Sequence, residues 1–319
     1  MTASHTTPPG AGDCCIGIEI GGTKLQLVVG TAAGQIVERR RFAVDRDGAA
    51  AGIRAQIAHA LPELMQSRRP GAVGVGYGGP VDHRTGTIVK SYHVAGWNGF
   101  PLGAWLAEIA GVPVFVENDA NVAALGEAIH GAGRGLNPVF YVTLGSGVGG
   151  GLVADGSIYH GFPPGEAEIG HLRLDRTGRT PEECCSGWSV DRSIRAAVAT
   201  APDSPLAALV AAGPGPEARH LAPALAAGDP VARGVLDAAA ENIALTLSHV
   251  VHLFHPEAIV IGGGLSLLGE PLRAAVADQL TRFVMDAFQP GPRVVLAALR
   301  EDAVPVGAVT LAARRLRES

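Results

Sequence analysis

The sequence predicts an α/β protein of two related halves, with duplicated mixed sheets flanked by helices. Strand-like apolar runs alternate with helical stretches along the chain. A strand, a glycine-rich hairpin and a return strand occur at 14–30 and again at 138–156, about 125 positions on, which is an internal repeat. At 319 residues the chain is long enough for two domains of ordinary size, each with its own core.

Composition narrows the function classes. Hydrophobic residues make up 47% and charged residues 17%, a globular balance rather than a disordered one. The net charge is −5 and no run of Lys or Arg marks a nucleic-acid face; Arg39-Arg40-Arg41 reads as a solvated strand edge. No apolar stretch reaches the length of a membrane span. The first thirteen residues, rich in Thr, Pro and Gly, are expected to be a disordered tail and neither a signal peptide nor an anchor. The cysteines come as adjacent pairs, Cys14-Cys15 and Cys184-Cys185. Neighbours on a strand point to opposite faces, so no disulfide framework is expected and a reducing cytoplasm fits.

In order, residues 14–20 form a buried strand, Gly21-Gly22-Thr23-Lys24 turns it, and Leu25 to Val29 returns. Two glycines followed by Thr and Lys let backbone approach a phosphate with a hydroxyl and an ammonium at hand, although a Gly-Gly hairpin is also simply a hairpin. A third strand (35–38) and a helix from about Ala49 to Gln66 follow, then a strand at 72–76. That strand enters Tyr77-Gly78-Gly79-Pro80, a loop suited either to close backbone approach to a ligand or to a tight crossover. A polar and aromatic loop (91–97) and a helix near Leu102 to Ala110 lead to the central stretch.

Val112 to Val116 reads as a short buried strand, stopped by Glu117-Asn118-Asp119, after which Val122 to Ala128 resumes in a helical style. Asn118, Asp119 or Asn121 suits a helix cap. Alternatively, a carboxylate at a strand's carboxyl end, where open α/β sheets place ligands, accepts a proton from a substrate hydroxyl in phosphoryl transfer.

The second half repeats the opening: a strand at 138–144, a glycine turn at 145–151 and a return strand at 152–156. Gly165-Glu166-Ala167-Glu168-Ile169-Gly170-His171 groups carboxylates with an imidazole, either as a surface loop or as partners for vicinal sugar hydroxyls. Residues 187–254 read as helices, with Ala-rich, Pro-punctuated linkers at 200–230 and a long helix from Pro230 to Phe254. A strand at 258–261 runs into Gly262-Gly263-Gly264, which suits a nucleotide's adenosine end or a tight βα turn. A strand at 294–296 and a last helix close the chain.

Five motifs, Glu19-Ile20-Gly21-Gly22-Thr23-Lys24, Glu117-Asn118-Asp119-Ala120-Asn121, Leu144 to Gly151, Gly165 to His171, and Ile261 to Gly264, occur in that order. Together they resemble the ROK family of sugar kinases and repressors, within the actin-like ATPase superfamily, over about residues 14 to 316. The resemblance implies the two-domain actin-like ATPase (ribonuclease H-like) fold with the active site in the interdomain cleft. It implies a domain at 14–118, joined by the C-terminal helix at about 303–319, and a larger domain at 119–302. It implies ATP-dependent phosphorylation of a hexose at its 6-hydroxyl, with Mg²⁺ arriving with ATP. Asp119 would be the general base; Asn118, Gly79, Glu168 and His171 would bind the sugar. Glu19, Gly22, Thr23, Lys24, Gly145, Ser146 and Gly147 would flank the phosphates, and Gly263 and Gly264 the adenosine. The expected protein is cytoplasmic and a homodimer, with neither nucleic acid nor membrane as partner.

Three positions depart from the family pattern. Glu19 stands where the family usually has Asp, and His93 where it often has Asn before the loop tryptophan. Only Cys184 and Cys185 remain of the usual three-cysteine zinc motif. His171 and two adjacent cysteines cannot supply four tetrahedral ligands without a further partner, so no structural zinc is expected, and Trp188 is expected to fill the volume, with Asp191 in place of the motif's last Glu. The competing readings are an N-acylhexosamine kinase, a non-catalytic sugar or nucleotide binder, and a sugar-sensing repressor. The repressor reading is disfavoured because only thirteen residues precede the first strand.

Overall fold

The computed structural model describes residues 14–22, 24–44, 48–92, 94–165, 167–213 and 215–318. The expected tail at 1–13 and residues Thr23, His93 and Glu166 lie outside the described residues. The chain begins with β1 (Cys14–Ile20), β2 (Lys24–Thr31), β3 (Ile36–Ala43), α1 (Ala49–Arg68), β4 (Val73–Tyr77), β5 (Val81–Asp82) and β6 (Thr87–Ile88). It continues through α2 (Leu102–Ala110), β7 (Val114–Asn118), α3 (Asp119–His130), β8 (Val139–Leu144), β9 (Val148–Ala154) and β10 (Ser157–Ile158). Then come α4 (Pro181–Cys185), α5 (Gly187–Thr200), α6 (Pro205–Ala212), α7 (Leu221–Ala226) and α8 (Pro230–Phe254). The last elements are β11 (Ala258–Gly262), α9 (Glu270–Thr281), β12 (Arg293–Leu296) and α10 (Ala303–Glu318).

These elements form two compact units. One takes the chain up to Gly131, then Ser157–Glu166, then Glu301 onward; the other takes Ala132–Gly156 and Ala167–Arg300. The first unit therefore includes α3, which the sequence reading assigned beyond residue 118. The reason is packing of α3 on α10. A Cβ at Gly126 would lie 2.7 Å from the Ala303 carbonyl oxygen, and one at Gly307 would lie 1.7 Å from that of Val122. The two backbones touch because both positions lack side chains.

In the first unit the sheet runs β3-β2-β1-β4-β7, with β1, β2 and β3 antiparallel and β4 and β7 parallel to β1. Alternation on β1 divides two cores. Cys14, Ile16, Ile18 and Ile20 pack with Ile53, Ile57, Leu61 and Leu64 of α1. Cys15 faces the other way, with Val28 and with Val309 and Ala312 of α10. On that second face Gly74 admits α10 directly, since a Cβ there would sit 1.9 Å from the Ala308 oxygen. Arg39, Arg40 and Arg41 lie on β3, the edge strand, and pair with Asp302, Glu63 and Glu301.

In the second unit β9-β8-β11-β12 follow in the same order as β2-β1-β4-β7, with β8 and β9 antiparallel and β11 and β12 parallel to β8. The long α8 contributes Ile243, Leu247 and Val251 to the core beneath Phe140, Val142 and Leu144. It begins where Asp229 accepts hydrogen bonds from the Val231 and Leu206 N–H groups at 2.8 and 2.7 Å, with Pro230 at its first position.

Three expectations need correction. The return strand begins at Val148, so Gly149, Gly150 and Gly151 belong to β9 and pair with Thr143, Val142 and Tyr141. Gly150 is tolerated mid-strand because a Cβ would collide with the Phe140 ring at 2.7 Å. The expected linker at 200–230 contains α6, opened by the Ser204 cap and Pro205, and α7. Trp188 does not fill an interior volume; it is 62% exposed, while Cys185 is the buried residue there.

Candidate functional site

The central stretch joins the end of a strand to the start of a helix, with Asn118 and Asp119 at the junction. β7 runs two residues further than its apolar part, carrying Glu117 and Asn118 opposite Gly76 and Tyr77 of β4. Asn118 is the helix cap: its Oδ1 accepts from the Ala120 and Asn121 N–H groups at 2.9 and 3.3 Å. Asp119 is thereby the first residue of α3, where the helix dipole favours a negative charge. Its Oδ1 accepts from the Ala120 N–H at 2.8 Å, and its Oδ2 lies toward the Gly78 backbone, 3.4 Å from where a Cβ would project. Such a Cβ would also lie 3.7 Å from Gly21 Cα, so Gly78 separates the Asp119 carboxylate from the first glycine hairpin.

Gly79 acts through Asn118. Its carbonyl accepts from Asn118 Nδ2 at 3.2 Å, and its N–H donates to the Tyr77 carbonyl at 2.9 Å. Burial, with a smaller contribution from the Asp119 charge, pushes the Tyr77 phenol up to about 12 despite a hydrogen bond with Ser91. Trp97 is fully buried edge-on to Tyr77, at 5.7 Å between ring centroids, and anchors the loop beside it.

At the first hairpin the Gly21 N–H donates to the Lys24 carbonyl at 2.9 Å, closing the turn. Lys24 Nζ lies 3.1 Å from Glu19 Oε2, which also accepts from the Gln26 amide. Carboxylate and ammonium are thus held side by side next to Gly21 and Gly22. Glu19 would offer hard oxygen to a divalent cation and Lys24 a counter-charge to a phosphate, so the donor set fits a metal–phosphate group.

In the second unit the Gly145 N–H donates to the Gly147 carbonyl at 3.0 Å, and the Gly145 carbonyl accepts from Gly187 at 2.7 Å. Glu182 fixes the far side, accepting from the Val148 N–H at 3.2 Å. Gly263 adopts φ +78°, and a Cβ there would meet the Leu144 backbone at 2.6 Å. The loop after β11 therefore lies against the end of β8, bringing Gly263 and Gly264 beside the Gly145-Ser146-Gly147 turn. Glu168 precedes and His171 ends a single 3₁₀ turn, with the His171 N–H donating to the Glu168 carbonyl at 3.1 Å. Gly170 pins this turn to β9, since a Cβ would lie 2.1 Å from the Val148 oxygen. The Glu168 side chain reaches solvent, yet surrounding protein mass desolvates its carboxyl enough to raise its pKa. Proximity to His171 opposes that rise and Glu182 reinforces it.

The first unit thus carries Glu19, Gly22, Lys24, Gly79, Asn118 and Asp119; the second carries Gly145, Ser146, Gly147, Glu168, His171, Gly263 and Gly264. Asp191 serves structure, accepting from the Ala218 N–H at 2.7 Å. All four cysteines are free thiols, and burial pushes Cys15 and Cys185 up to about 11 and about 12. Sequence reasoning missed Glu182, whose only signal was its place in the first turn of a helix capped by Thr180. It also missed a group formed by His83, Glu117 and His160, which sequence spacing does not reveal.

The ROK family profile matches residues 15–315. The chain is 32% identical over 306 residues to the glucokinase of Halalkalibacterium halodurans, covering 92% of each. It is 31% identical over 310 residues to the glucokinase of Thermotoga maritima, covering 94% of this chain and 98% of that one. The crystal structure of a ROK family glucokinase from Streptomyces griseus in complex with glucose and AMPPNP is similar with a TM-score of 0.83 at 32% identity, covering 94% and 99% of the two chains. Fold and likeness together define a sugar kinase of the actin-like ATPase fold. The chain belongs to the ROK family. No helix among the described residues is long and apolar enough to cross a membrane.

Proposed function

We propose that the protein phosphorylates a hexose at its 6-hydroxyl with ATP, using Asp119 as the general base. The observation that carries this reading is the Asp119 carboxylate at the first turn of α3, held there by the Ala120 N–H, with the Asn118 cap beneath it. A carboxylate so fixed accepts the proton of a sugar hydroxyl as that oxygen attacks phosphorus. Asn118 Nδ2 keeps a second N–H beyond the one given to Gly79 and donates it to a neighbouring sugar oxygen. Glu168 accepts from sugar hydroxyls and His171 completes their orientation, so binding energy is used to hold the nucleophile in line. When bound, Mg·ATP supplies the electrophilic γ-phosphoryl group. Lys24 and Glu19 then hold opposite charges beside it, while Gly145, Ser146 and Gly147 offer backbone and a hydroxyl to the phosphates.

The test is a coupled ADP-release assay with Mg·ATP against glucose, mannose, fructose, N-acetylglucosamine and N-acetylmannosamine. Turnover on a hexose, with the phosphate found on the 6-oxygen, is the expected result. Turnover confined to the N-acetyl sugars would move the substrate to the N-acylhexosamines. Silence across the panel from folded, ATP-binding protein would overturn the reading in favour of a binding protein.

A further inference from the structure

Three residues that the phosphoryl-transfer reading does not use converge in the first unit. His83 comes from the turn between β5 and β6, Glu117 from the end of β7, and His160 from the segment after β10. His160 Nε2 lies 2.6 Å from Glu117 Oε1, and the His83 and His160 rings stack at 3.8 Å between centroids with 18° between planes. One ligating atom from each residue can be chosen so that all three lie within 4.8 Å of one another. Glu117 is 3% exposed, whereas both histidines are half-buried and reach solvent.

We propose that His83, Glu117 and His160 bind a late first-row divalent cation of the Zn²⁺ class. Two imidazole nitrogens and one carboxylate oxygen are borderline donors that suit such an ion and leave a further position for water. Donor atoms on a tetrahedral ion at ~2.0–2.2 Å stand ~3.3 Å apart. The 2.6 Å His160–Glu117 hydrogen bond therefore opens slightly, the widest pair closes, and one ring tilts out of the stack so that both lone pairs converge. Binding displaces the proton shared by His160 and Glu117, which leaves to solvent. Asp82 and Arg315, the other charged groups acting on His83, oppose each other in sign. The ligands come from three separate parts of the chain, so the ion would tie the β5–β6 turn and the 157–166 segment to β7, one residue before Asn118.

The experiment is titration of chelator-treated, full-length protein with Co²⁺, followed by visible absorption, and with Zn²⁺ in competition. The expected result is one equivalent of tightly held Co²⁺ with the intense absorption of a four- or five-coordinate site, displaced by Zn²⁺. His83→Gln and His160→Gln should each weaken binding beyond the roughly 10–100-fold carried by outer-shell partners. Cys184→Ser should leave it unchanged. Each variant is checked for fold by circular dichroism, and Glu117→Gln supplies an independent ligand deletion should one histidine variant not fold. Only aqueous-type Co²⁺ absorption, or binding that survives the histidine variants and falls with Cys184→Ser, would overturn the proposal.

Discussion

The β1–β2 and β8–β9 hairpins share their pairing and their place in the strand order, yet they present different chemistry. The first holds Lys24 against Glu19 at 3.1 Å and so offers charge. The second carries no ionic side chain in its turn, and its glycines are tied by backbone hydrogen bonds to one another and to Gly187. The two hairpins thus differ at their tips while their strand pairing is the same. In the proposed reaction the first hairpin supplies electrostatics and the second supplies shape, the two requirements of phosphoryl transfer.

The largest expected effect lies in the first unit, outside either turn. Asp119→Ala should lower turnover by about 10²–10⁴ while leaving sugar binding nearly intact, read by the coupled assay and by calorimetry. Near-normal turnover would remove the base from Asp119.

Backbone contacts give the next contrast. Gly307→Ala drives a methyl into the Val122 carbonyl at 1.7 Å and should destabilise the protein by about 3 kcal/mol or more, beyond the common range for overpacking. Gly263→Ala, with φ +78° and a 2.6 Å collision, should cost about 1–3 kcal/mol, whereas Gly264→Ala, with nothing within 4 Å, should be nearly silent in stability. Thermal melts decide this, and equal melting temperatures for the two loop variants would deny the close packing of that loop.

The hairpins themselves are separated by Lys24→Ala and Ser146→Ala. Loss of a charge-assisted contact of about 1.5–3 kcal/mol should raise the KM for ATP roughly 10–100-fold, more strongly at low salt. Loss of a neutral hydroxyl contact of about 0.5–1.5 kcal/mol should raise it no more than about tenfold and independently of salt. The same magnitude and salt response in both would erase the distinction between charge and shape.

The smallest effect is a shift along the pH axis. Desolvation raises the Glu168 pKa, so the carboxylate form, which in the proposed reaction accepts sugar hydroxyls, is complete only at higher pH than for an ordinary glutamate. The acid limb of kcat/KM should sit correspondingly high, and Glu168→Gln should remove that contribution while weakening sugar binding. A limb unmoved by Glu168→Gln would assign it elsewhere.

How much of this was legible in the sequence follows from locality. β1, α2 and α8 have the predicted bounds because buried runs, Pro230 and the C-terminal Gly111 act within a few residues. β9 was misread because glycine usually marks a turn, and only the Phe140 ring, set by tertiary packing, explains Gly150 inside a strand. The candidate base and its cap could be read from Asn118-Asp119 together. The roles of Gly78 and Glu182 could not, since each depends on which loop lies alongside. His83, Glu117 and His160 are spread over nearly eighty positions and meet only in three dimensions.

The insertion of the second unit into the first has a consequence for biosynthesis. α10 covers the face of the first sheet bearing Gly17 and Gly74, but about 170 residues of the second unit and its connections are made between Gly131 and Ala303. At ~5–20 residues per second that is a wait of roughly 10–35 s, during which the first sheet lacks its closing helix. A released chain truncated after residue 300, which has the second unit whole and lacks only α10, should therefore be cleaved by protease within 14–131 and resist it within 167–300. The part of the chain that leaves the ribosome first is the part that matures last.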